Sequence, residues 1–409
     1  MFKHSGISID DMNKQTKPKL WTSDFIFASI ANFLLFFSFY LLMPTLPFYL
    51  TNFFHVTNSQ AGLIISGYIA CAILIRPFSG FIADSFDRKT VYIISYFAFI
   101  AFFAGYIAAT ALIFFIIIRA VHGFAFGAAT TTNNTVVIDI MPFSRQGEGI
   151  GYFGLSSTLA MAIGPVMGLI IYDRFPFVML FYGALISGTI GCIFVLAVKV
   201  PVNVCPKVKE TVSFDRFFLI KGFPLGINFL LLGIPYGMIT TYIAMYGRYN
   251  GITGGNGTFF AVCAAGLLFS RVFSGKQIDK GRIIQVITAG TFTASTSLLC
   301  LFFVDKIHIF QSTLYYFSAL IIGLSYGMLF PAFNFMFVNL AEKNRRATAN
   351  STYLTSWDIG IAIGVIIGGK IIDIAAISSI YAVGSLIALA ACIYFLTVST
   401  GYFNRKKLR

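Results

Sequence analysis

The sequence predicts an all-α membrane protein with twelve transmembrane helices in two pseudo-symmetric bundles of six. Hydrophobic residues make up 57% of the chain and charged residues only 11%, whereas about a quarter of a soluble globular protein is charged. Apolar runs of spanning length, roughly 20 residues each, recur along the whole chain. The two halves of the chain also share short motifs in the same order. Together these observations exclude a water-soluble protein.

Six predicted spans occupy each half of the chain, and they are called spans 1 to 12 in chain order. The first six lie near Phe25–Leu46, Ala61–Ser79, Val91–Thr110, Leu112–Ile138, Gly149–Tyr172 and Phe177–Val200. The second six lie near Phe223–Met245, Gly257–Ser274, Ile283–Val304, Ser312–Val338, Thr348–Ile372 and Ile377–Val398. We therefore expect bundles over residues 25–200 and 223–398, joined by a linker over residues 201–222. Tails over residues 1–24 and 399–409 complete the chain.

Basic residues are distributed unequally between the two sides of these spans. Of the 29 Lys and Arg residues, twenty-four fall on the side that holds both tails and the linker, four fall on the other side, and Arg119 lies inside span 4. Cytoplasmic loops carry such an excess of Lys and Arg. We therefore expect both termini in the cytoplasm and the protein in the cell membrane. The net charge of +14 then reflects topology rather than binding to nucleic acid.

The remaining composition argues against added chemistry. The six cysteines show no paired spacing, so no disulfide framework, metal site or cofactor site is expected. The polar first segment lacks a cleavage site of small residues after an apolar core, and it is interpreted as a retained tail rather than a signal peptide. No clustered His and Asp pattern or nucleophile elbow supports an enzyme.

Internal repeats support a duplication. RPFSGFIAD, which begins at Arg76, returns as RVFSGKQID at Arg271, an offset of 195 residues. Glycines and one asparagine repeat at an offset of 200: Gly123, Gly127 and Asn134 match Gly323, Gly327 and Asn334, and Gly164 and Gly168 match Gly364 and Gly368. Parallel six-helix repeats with a substrate site between them near mid-membrane are typical of secondary transporters.

The turn between spans 2 and 3 reads GFIADSFDRKT and contains Gly80, Asp84, Arg88 and Lys89. A carboxylate in such a turn can face the N–H groups at a helix start, and a guanidinium can pair with an acid such as Asp139 at the end of span 4. Such contacts would latch one conformation. The alternative is a solvated hairpin whose basic residues only set topology.

This turn and three further motifs resemble the major facilitator superfamily, within it the twelve-span drug:proton antiporter branch. Span 1 ends in MPTLPFYL, span 4 contains RAVHGFAFGAA and span 5 contains GLSSTLAMAIGPVMG. The resemblance covers nearly the whole chain, but Asp87 replaces a usual glycine and His122 stands where glutamine is common. It implies the major facilitator fold, alternating access, and a latch that joins the cytoplasmic ends of the two halves.

Glycine and proline positions are also candidates for conformational gating. The repeat extends the latch to Arg271, Gly275 and Asp279 in the second half. In span 5 the set is Gly164, Pro165 and Gly168, where small residues allow close approach of backbones and proline allows bending. The alternative for span 5 is close helix packing without a role in gating.

Two charged residues are expected squarely inside spans, Arg119 in span 4 and Asp358 in span 11. An unpaired charge at the bilayer centre costs about 2.5 to 3.5 kcal/mol or more. Neither residue is repeated, since the offset of 200 gives Ala319 and Thr158. We expect Asp358, in apolar surroundings, to take up and release a coupling proton; the alternative is a permanent hydrogen bond to a neighbouring span. Arg119 has a structural alternative too, which is binding helix carbonyls or a neighbouring side chain.

Two further residues are candidates for coupling. Glu148 lies at the entrance of span 5, where a carboxylate that only stabilises the helix start is the alternative. His122 lies one turn from Arg119, and a polar side chain satisfied inside the bundle is its alternative. Neither alternative is excluded by the sequence.

The resemblance places spans 1, 4, 7 and 10 around the substrate. Their polar and aromatic residues at helical spacing are Asn32, Phe36, Tyr40, Phe126, Thr130, Tyr236, Thr240, Tyr326, Phe330 and Asn334. Walls of this kind, apolar with few hydrogen-bonding groups, suit amphipathic organic molecules.

The sequence thus predicts a secondary active transporter that exports small organic compounds, drugs or metabolites, in exchange for protons. No P-loop pattern GxxxxGK[ST] is present, so the energy is expected from a gradient. The expected partners are a small organic substrate, protons and the lipid bilayer, with the chain acting as a monomer. The alternative is an importer or facilitator of a nutrient such as a sugar or organic acid.

Overall fold

The computed structural model describes residues 18–142, 145–200, 218–252, 256–341 and 346–407, in which helices are the regular structure and no strand occurs. The first half contains Ser23–Leu42 and Leu46–Phe53 in span 1, then Asn58–Ser85, Arg88–Ala108, Leu112–Ile140, Gln146–Arg174 and Val178–Ala197. The second half contains Phe223–Tyr249, Asn256–Asp279, Ile283–Phe303, Gln311–Leu340, Arg346–Ile374 and Ser379–Tyr394, the last continuing as a π-helical turn into Thr400–Lys406. The predicted all-α fold class is confirmed. Most of the N-terminal tail and of the linker lies outside the described residues.

Within the described part of the chain, eleven helices are long and apolar enough to cross a membrane. Span 11, Arg346–Ile374, is not among these eleven, and it contains Asp358, Lys370 and Asp373. It nevertheless packs along span 7 within its own half and along span 2 of the other half. Asp358 therefore lies against protein, whereas Lys370 and Asp373 near the end of the helix are exposed.

The outer surface of the bundle is apolar. Phe114, Ile186 and Phe269 are each more than half exposed, and many other large hydrophobic side chains share this surface. Exposure of so extensive an apolar surface to water is unfavourable, whereas contact of the same surface with lipid is not. The protein is an integral membrane protein.

Charged side chains organise one end of the bundle, called the basic face, where span 1 begins. The Lys89 ammonium donates to the carbonyls of Val195 and Val198 at the end of span 6, both at 2.5 Å. Asp87 caps the start of span 3, because its carboxylate accepts from the Thr90 hydroxyl at 2.6 Å and the Thr90 N–H at 2.8 Å. These hydrogen bonds from Thr90 lower the pKa of the Asp87 carboxyl below its usual value. Asp87 thus has a local capping role at the position where glycine was expected.

The repeat seen in the sequence is also present in three dimensions. A Cβ at Gly123 of span 4 would overlap the carbonyl oxygen of Tyr68 in span 2, and one at Gly323 of span 10 would overlap that of Cys263 in span 8. Tyr68 and Cys263 are separated by 195 residues, the offset of the RPFSG and RVFSG motifs. Each half therefore packs its second helix on its fourth through equivalent glycines.

The two halves meet along two helix pairs. Span 2 packs on span 11, and span 5 packs on span 8. Each pair takes one helix from each half, so any change in the angle between the halves must alter these two contacts. Charged residues at the span 2 and span 11 contact are therefore placed to respond to that change.

Candidate functional site

Arg76 and Asp358 form an ion pair between the halves, with 2.6 Å between Nη1 and Oδ2. Asp358 lies twelve residues into span 11, about 18 Å from its start at 1.5 Å per residue. Arg76 was counted with the basic side in the charge tally, but span 2 continues to Ser85, so Arg76 lies within the helix rather than in a loop. The apolar surroundings expected for Asp358 are therefore wrong. The predicted span 2 already contained Arg76, and this position indicated that the arginine belongs to the helix.

The pair is partly accessible and has polar neighbours. The two side chains are 13% and 23% exposed, so water can reach them. The Asp358 carboxylate lies within electrostatic range of the hydroxyls of Tyr40 and Tyr68. One turn or more away, the Ser66 hydroxyl of span 2 donates to the Ala362 carbonyl of span 11 at 2.9 Å. The span 2 and span 11 contact is therefore polar at mid-depth.

The end of the bundle opposite the basic face is closed by a second set of contacts. The Asp373 carboxylate of span 11 accepts from the backbone N–H of Asn58 at 3.0 Å and of Ser59 at 2.8 Å. These are free N–H groups at the start of span 2, where the helix dipole favours an anion. The carboxylate is thus an N-cap supplied by the other half.

A second ion pair closes the same end, and it joins Arg248 of span 7 to Asp173 of span 5. The Arg248 guanidinium also stacks on the Phe48 and Tyr172 rings, with centroids 4.8 Å and 4.6 Å away. Aromatic faces attract a cation. This closure therefore combines charge pairing with stacking across the two halves.

Arg119 lies within the first half and is 2% exposed. Its guanidinium is 4.2 Å from the Tyr68 ring centroid and donates to the Tyr106 hydroxyl at 3.3 Å. That hydroxyl is 2.8 Å from Nδ1 of His122; since it accepts from Arg119, it can donate its own hydrogen to the imidazole. His122 is itself 1% exposed. The contacts favour the structural alternatives for both residues, and their part in coupling stays a prediction.

Asn32 occupies a buried hydrogen-bond network in the first half. Its Nδ2 donates to Ser156 Oγ at 2.7 Å, and its Oδ1 accepts from Asn133 Nδ2 at 2.8 Å. The Tyr92 hydroxyl donates to Asn133 Oδ1 at 2.8 Å. This network ties spans 1, 3, 4 and 5 together, so the Asn32 side chain is committed to packing in this conformation.

The other candidates of the first half form an aromatic group. The Phe36 ring lies 6.3 Å from that of Tyr40 and 5.7 Å from that of Phe126. Phe126 also stacks on Phe39. The Thr130 hydroxyl donates to the Phe126 carbonyl at 2.9 Å, which leaves that side chain bound to its own helix.

Trp357 was not predicted as a cavity residue, but the predicted cavity residues of the second half surround it. Its ring lies 4.9 Å from Tyr236 and 4.8 Å from Phe330. Tyr326 lies 4.8 Å from Tyr236 and donates to a carbonyl of span 7. The Thr240 hydroxyl donates to the Tyr236 carbonyl at 3.0 Å. Trp357 could have been selected from the sequence, because it is an aromatic residue next to Asp358 in the most charged span.

The remaining predicted site residues are Glu148, Asn334 and the gating candidates. Arg88 pairs with Asp139 at 2.5 Å, a contact within the first half. Gly164 and Gly168 pack against Tyr40 and Leu41 of span 1, also within the first half, and Pro165 is buried in the same helix. Gly275 has open space where a Cβ would lie, and Asn334 is partly buried. The side chains of Asp84, Glu148 and Asp279, and the surroundings of Gly80, lie outside the described residues.

Metal binding finds no support in the described ranges, where no group of three His, Cys, Asp or Glu side chains is close enough to hold an ion. The arrangement instead offers a titratable carboxylate on the boundary between the two halves. It also offers aromatic walls on both sides of that boundary.

Known proteins resemble this chain over most of its length. The sequence profile of the Major Facilitator Superfamily matches residues 28–365 and, in a second match, residues 272–407. The chain is 23% identical to the staphylopine export protein of Staphylococcus aureus strain Mu50, over 84% of this chain and 88% of that protein. It is 23% identical to quinolone resistance protein NorA of S. aureus strain MRSA252, over 85% of this chain and 90% of that protein.

A solved structure of a POT family transporter has the same fold. It superposes with a TM-score of 0.77 at 18% identity and covers 92% of this chain and 96% of that chain. At this identity the likeness concerns the fold alone.

Proposed function

Because the chain belongs to the Major Facilitator Superfamily, we propose that it exports small organic compounds, drugs or metabolites, in exchange for protons. Members of this family are transporters rather than enzymes. One relative is named for export of staphylopine and another for quinolone resistance. The largely aromatic walls between the halves suit amphipathic organic molecules better than polyhydroxylated ones.

The orientation follows from the positive-inside rule, which assigns the basic face to the cytoplasm. The assignment is the same when Arg76 and Arg271 are not counted as loop residues, because most of the other Lys and Arg residues still lie on one side. Both termini are then cytoplasmic, in the cell membrane. The contacts of Asp373 with Ser59 and of Arg248 with Asp173 then close the outer side in this conformation.

The Arg76–Asp358 ion pair is the single observation that carries proton coupling. A neighbouring cation favours the ionised form of a carboxylate. When the outer side is closed, Arg76 lies against Asp358 and favours release of a proton to the cytoplasm. When the outer side opens, spans 2 and 11 must separate there, which allows Arg76 to withdraw and Asp358 to take up a proton from outside. Proton entry is thereby linked to the conformational change that releases substrate outward.

A transport measurement in inside-out membrane vesicles tests this function. The vesicles carry the wild-type protein or no protein, their lumen is acidified, and compounds accumulated from a mixture of drugs and metabolites are identified by mass spectrometry. Export predicts accumulation that depends on the protein and collapses when a protonophore is added. Accumulation in right-side-out vesicles alone would instead identify an importer. Increased sensitivity to a transported toxic compound in cells that lack the protein is the matching cellular result.

A further inference from the structure

Arg271 is the counterpart of Arg76 in the second half, yet it has no carboxylate partner among the residues that the structure describes. Its Nε atom is buried and forms no hydrogen bond within those residues, although the side chain keeps partial contact with solvent. Asp358, which neutralises Arg76, corresponds to Thr158 at the offset of 200. The Thr158 hydroxyl donates to the Gly154 carbonyl of its own helix at 3.0 Å. A hydroxyl used in this way does not replace a carboxylate.

The packing of the helices is symmetric although the charges are not. Span 8, which carries Arg271, packs on span 5 just as span 2, which carries Arg76, packs on span 11. Among the side chains that the structure describes, one contact between the halves pairs a cation with an anion, and the other contains a cation without an anionic partner. A cation at membrane depth is unfavourable unless it is paired or hydrated. The missing anion is therefore expected from outside the chain.

Arg119 also lacks a carboxylate in the described part of the chain, but its situation differs. Its guanidinium is 2% exposed, stacks on Tyr68 and donates to Tyr106. The protein itself thus surrounds and stabilises Arg119, and a solute cannot reach it. Arg271 combines a missing anion with accessibility, which makes it the candidate for a binding site.

Two buried tyrosines lie near Arg271. Its guanidinium lies within electrostatic range of the hydroxyls of Tyr236 and Tyr353. The Tyr236 ring lies 4.9 Å from Trp357, and the Tyr353 ring lies 4.6 Å from Phe229. A guanidinium matches a carboxylate through two parallel hydrogen bonds, and the adjacent rings provide an apolar surface. The site therefore fits a molecule with an anionic group beside an aromatic or aliphatic body.

We infer that Arg271 binds the carboxylate of the transported compound, so that amphipathic organic carboxylates are the preferred substrates. The substrate anion would then complete the second contact between the halves as Asp358 completes the first. This inference rests on the proposed export function, because it identifies the class of compound that the central site accepts.

Transport in phosphatidylcholine liposomes tests the inference. The purified protein is reconstituted with an acidic lumen and offered a mixture of aryl carboxylates, each present with its neutral carboxamide. The wild-type protein is expected to accumulate the carboxylates over the matched amides. Arg271→Gln is expected to lower carboxylate accumulation at least about tenfold, the scale of a charge-assisted hydrogen bond, while amide accumulation is unchanged. Arg282→Gln, at an exposed arginine beyond the same span, is the matched control and is expected to behave as wild type.

The possible failures are distinguishable. If the wild-type protein accumulates no compound, the proposed export function is contradicted. If it accumulates the amides and rejects the carboxylates, export stands and the role of Arg271 is wrong. Transport that requires phosphatidylglycerol in the liposomes and shows no carboxylate preference would assign the arginine to a lipid headgroup instead. Because wild-type selectivity is informative by itself, the inference remains testable even if Arg271→Gln does not fold.

Discussion

The Arg76 guanidinium and the Asp358 carboxylate, 282 positions apart in the chain, lie 2.6 Å from each other across the boundary between the two halves. They are the charged contact at mid-depth on the span 2 and span 11 interface. Because this interface must change when the halves tilt, we propose that the pair connects protonation with conformation.

Asp358→Asn is expected to abolish accumulation driven by a pH difference while leaving exchange of substrate across the membrane. Asparagine preserves hydrogen bonding but cannot bind a proton, so uncoupling rather than complete loss is expected. Counterflow and pH-driven uptake in the same liposomes measure the two activities. Asp305→Asn, in the turn after span 9, serves as control. Undiminished pH-driven transport by Asp358→Asn would exclude this residue as the proton carrier.

Arg76→Gln is expected to lower the midpoint of thermal unfolding, because it leaves Asp358 buried without its cation. Removal of one partner of a buried pair costs about 3–5 kcal/mol, and partial exposure of Asp358 favours the lower end of that range. Thermal unfolding of purified protein in detergent measures the effect. The exchanged variant, Arg76→Asp with Asp358→Arg, is expected to recover part of the loss. Equal stability of the single and exchanged variants would show that the pair contributes nothing.

Asp373→Ala is expected to loosen the outer closure, because the first N–H groups of span 2 lose their carboxylate cap. A cysteine at Ser66, which is 3% exposed in this conformation, reports on that closure. In a background without native cysteines, a membrane-impermeant maleimide added from outside should label this cysteine faster when Asp373 is replaced. Asp305→Ala, on the same side of the bundle, controls for a general effect of losing a carboxylate. Identical labelling rates in the two variants would argue against a gating role.

Arg119→Ala is expected to abolish transport, and Arg119→Lys to restore it only in part. Lysine keeps the charge over the Tyr68 ring but loses the planar group that both stacks and donates to Tyr106. Tyr106→Phe removes the acceptor and keeps the ring, so a small loss is expected there. Initial export rates at equal protein level compare these variants. Full activity of the lysine variant would show that charge alone is sufficient.

The number, type and order of the helices could be predicted from the sequence because hydropathy and span length are properties of short segments. The duplication was equally visible, since Arg76 and Arg271 begin recognisable copies of one motif. The inferred orientation rests on the summed charge of loops, which also needs no tertiary information. Several candidate residues, among them Tyr236, Tyr326 and Phe330, followed from spacing on spans expected to face each other.

Only the tertiary structure decided which charges meet. Asp358 was expected among apolar groups because its chain neighbours are Trp357 and Ile359, but a helix presents its side chains to other helices rather than to its neighbours in sequence. Whether Arg76 counts as a loop residue or as the partner of Asp358 depends on how far span 2 continues and how it packs on span 11. The same packing gives Arg271 no carboxylate partner among the described side chains. Pairing across the boundary depends on contacts between segments distant in the chain, and no local pattern encodes them.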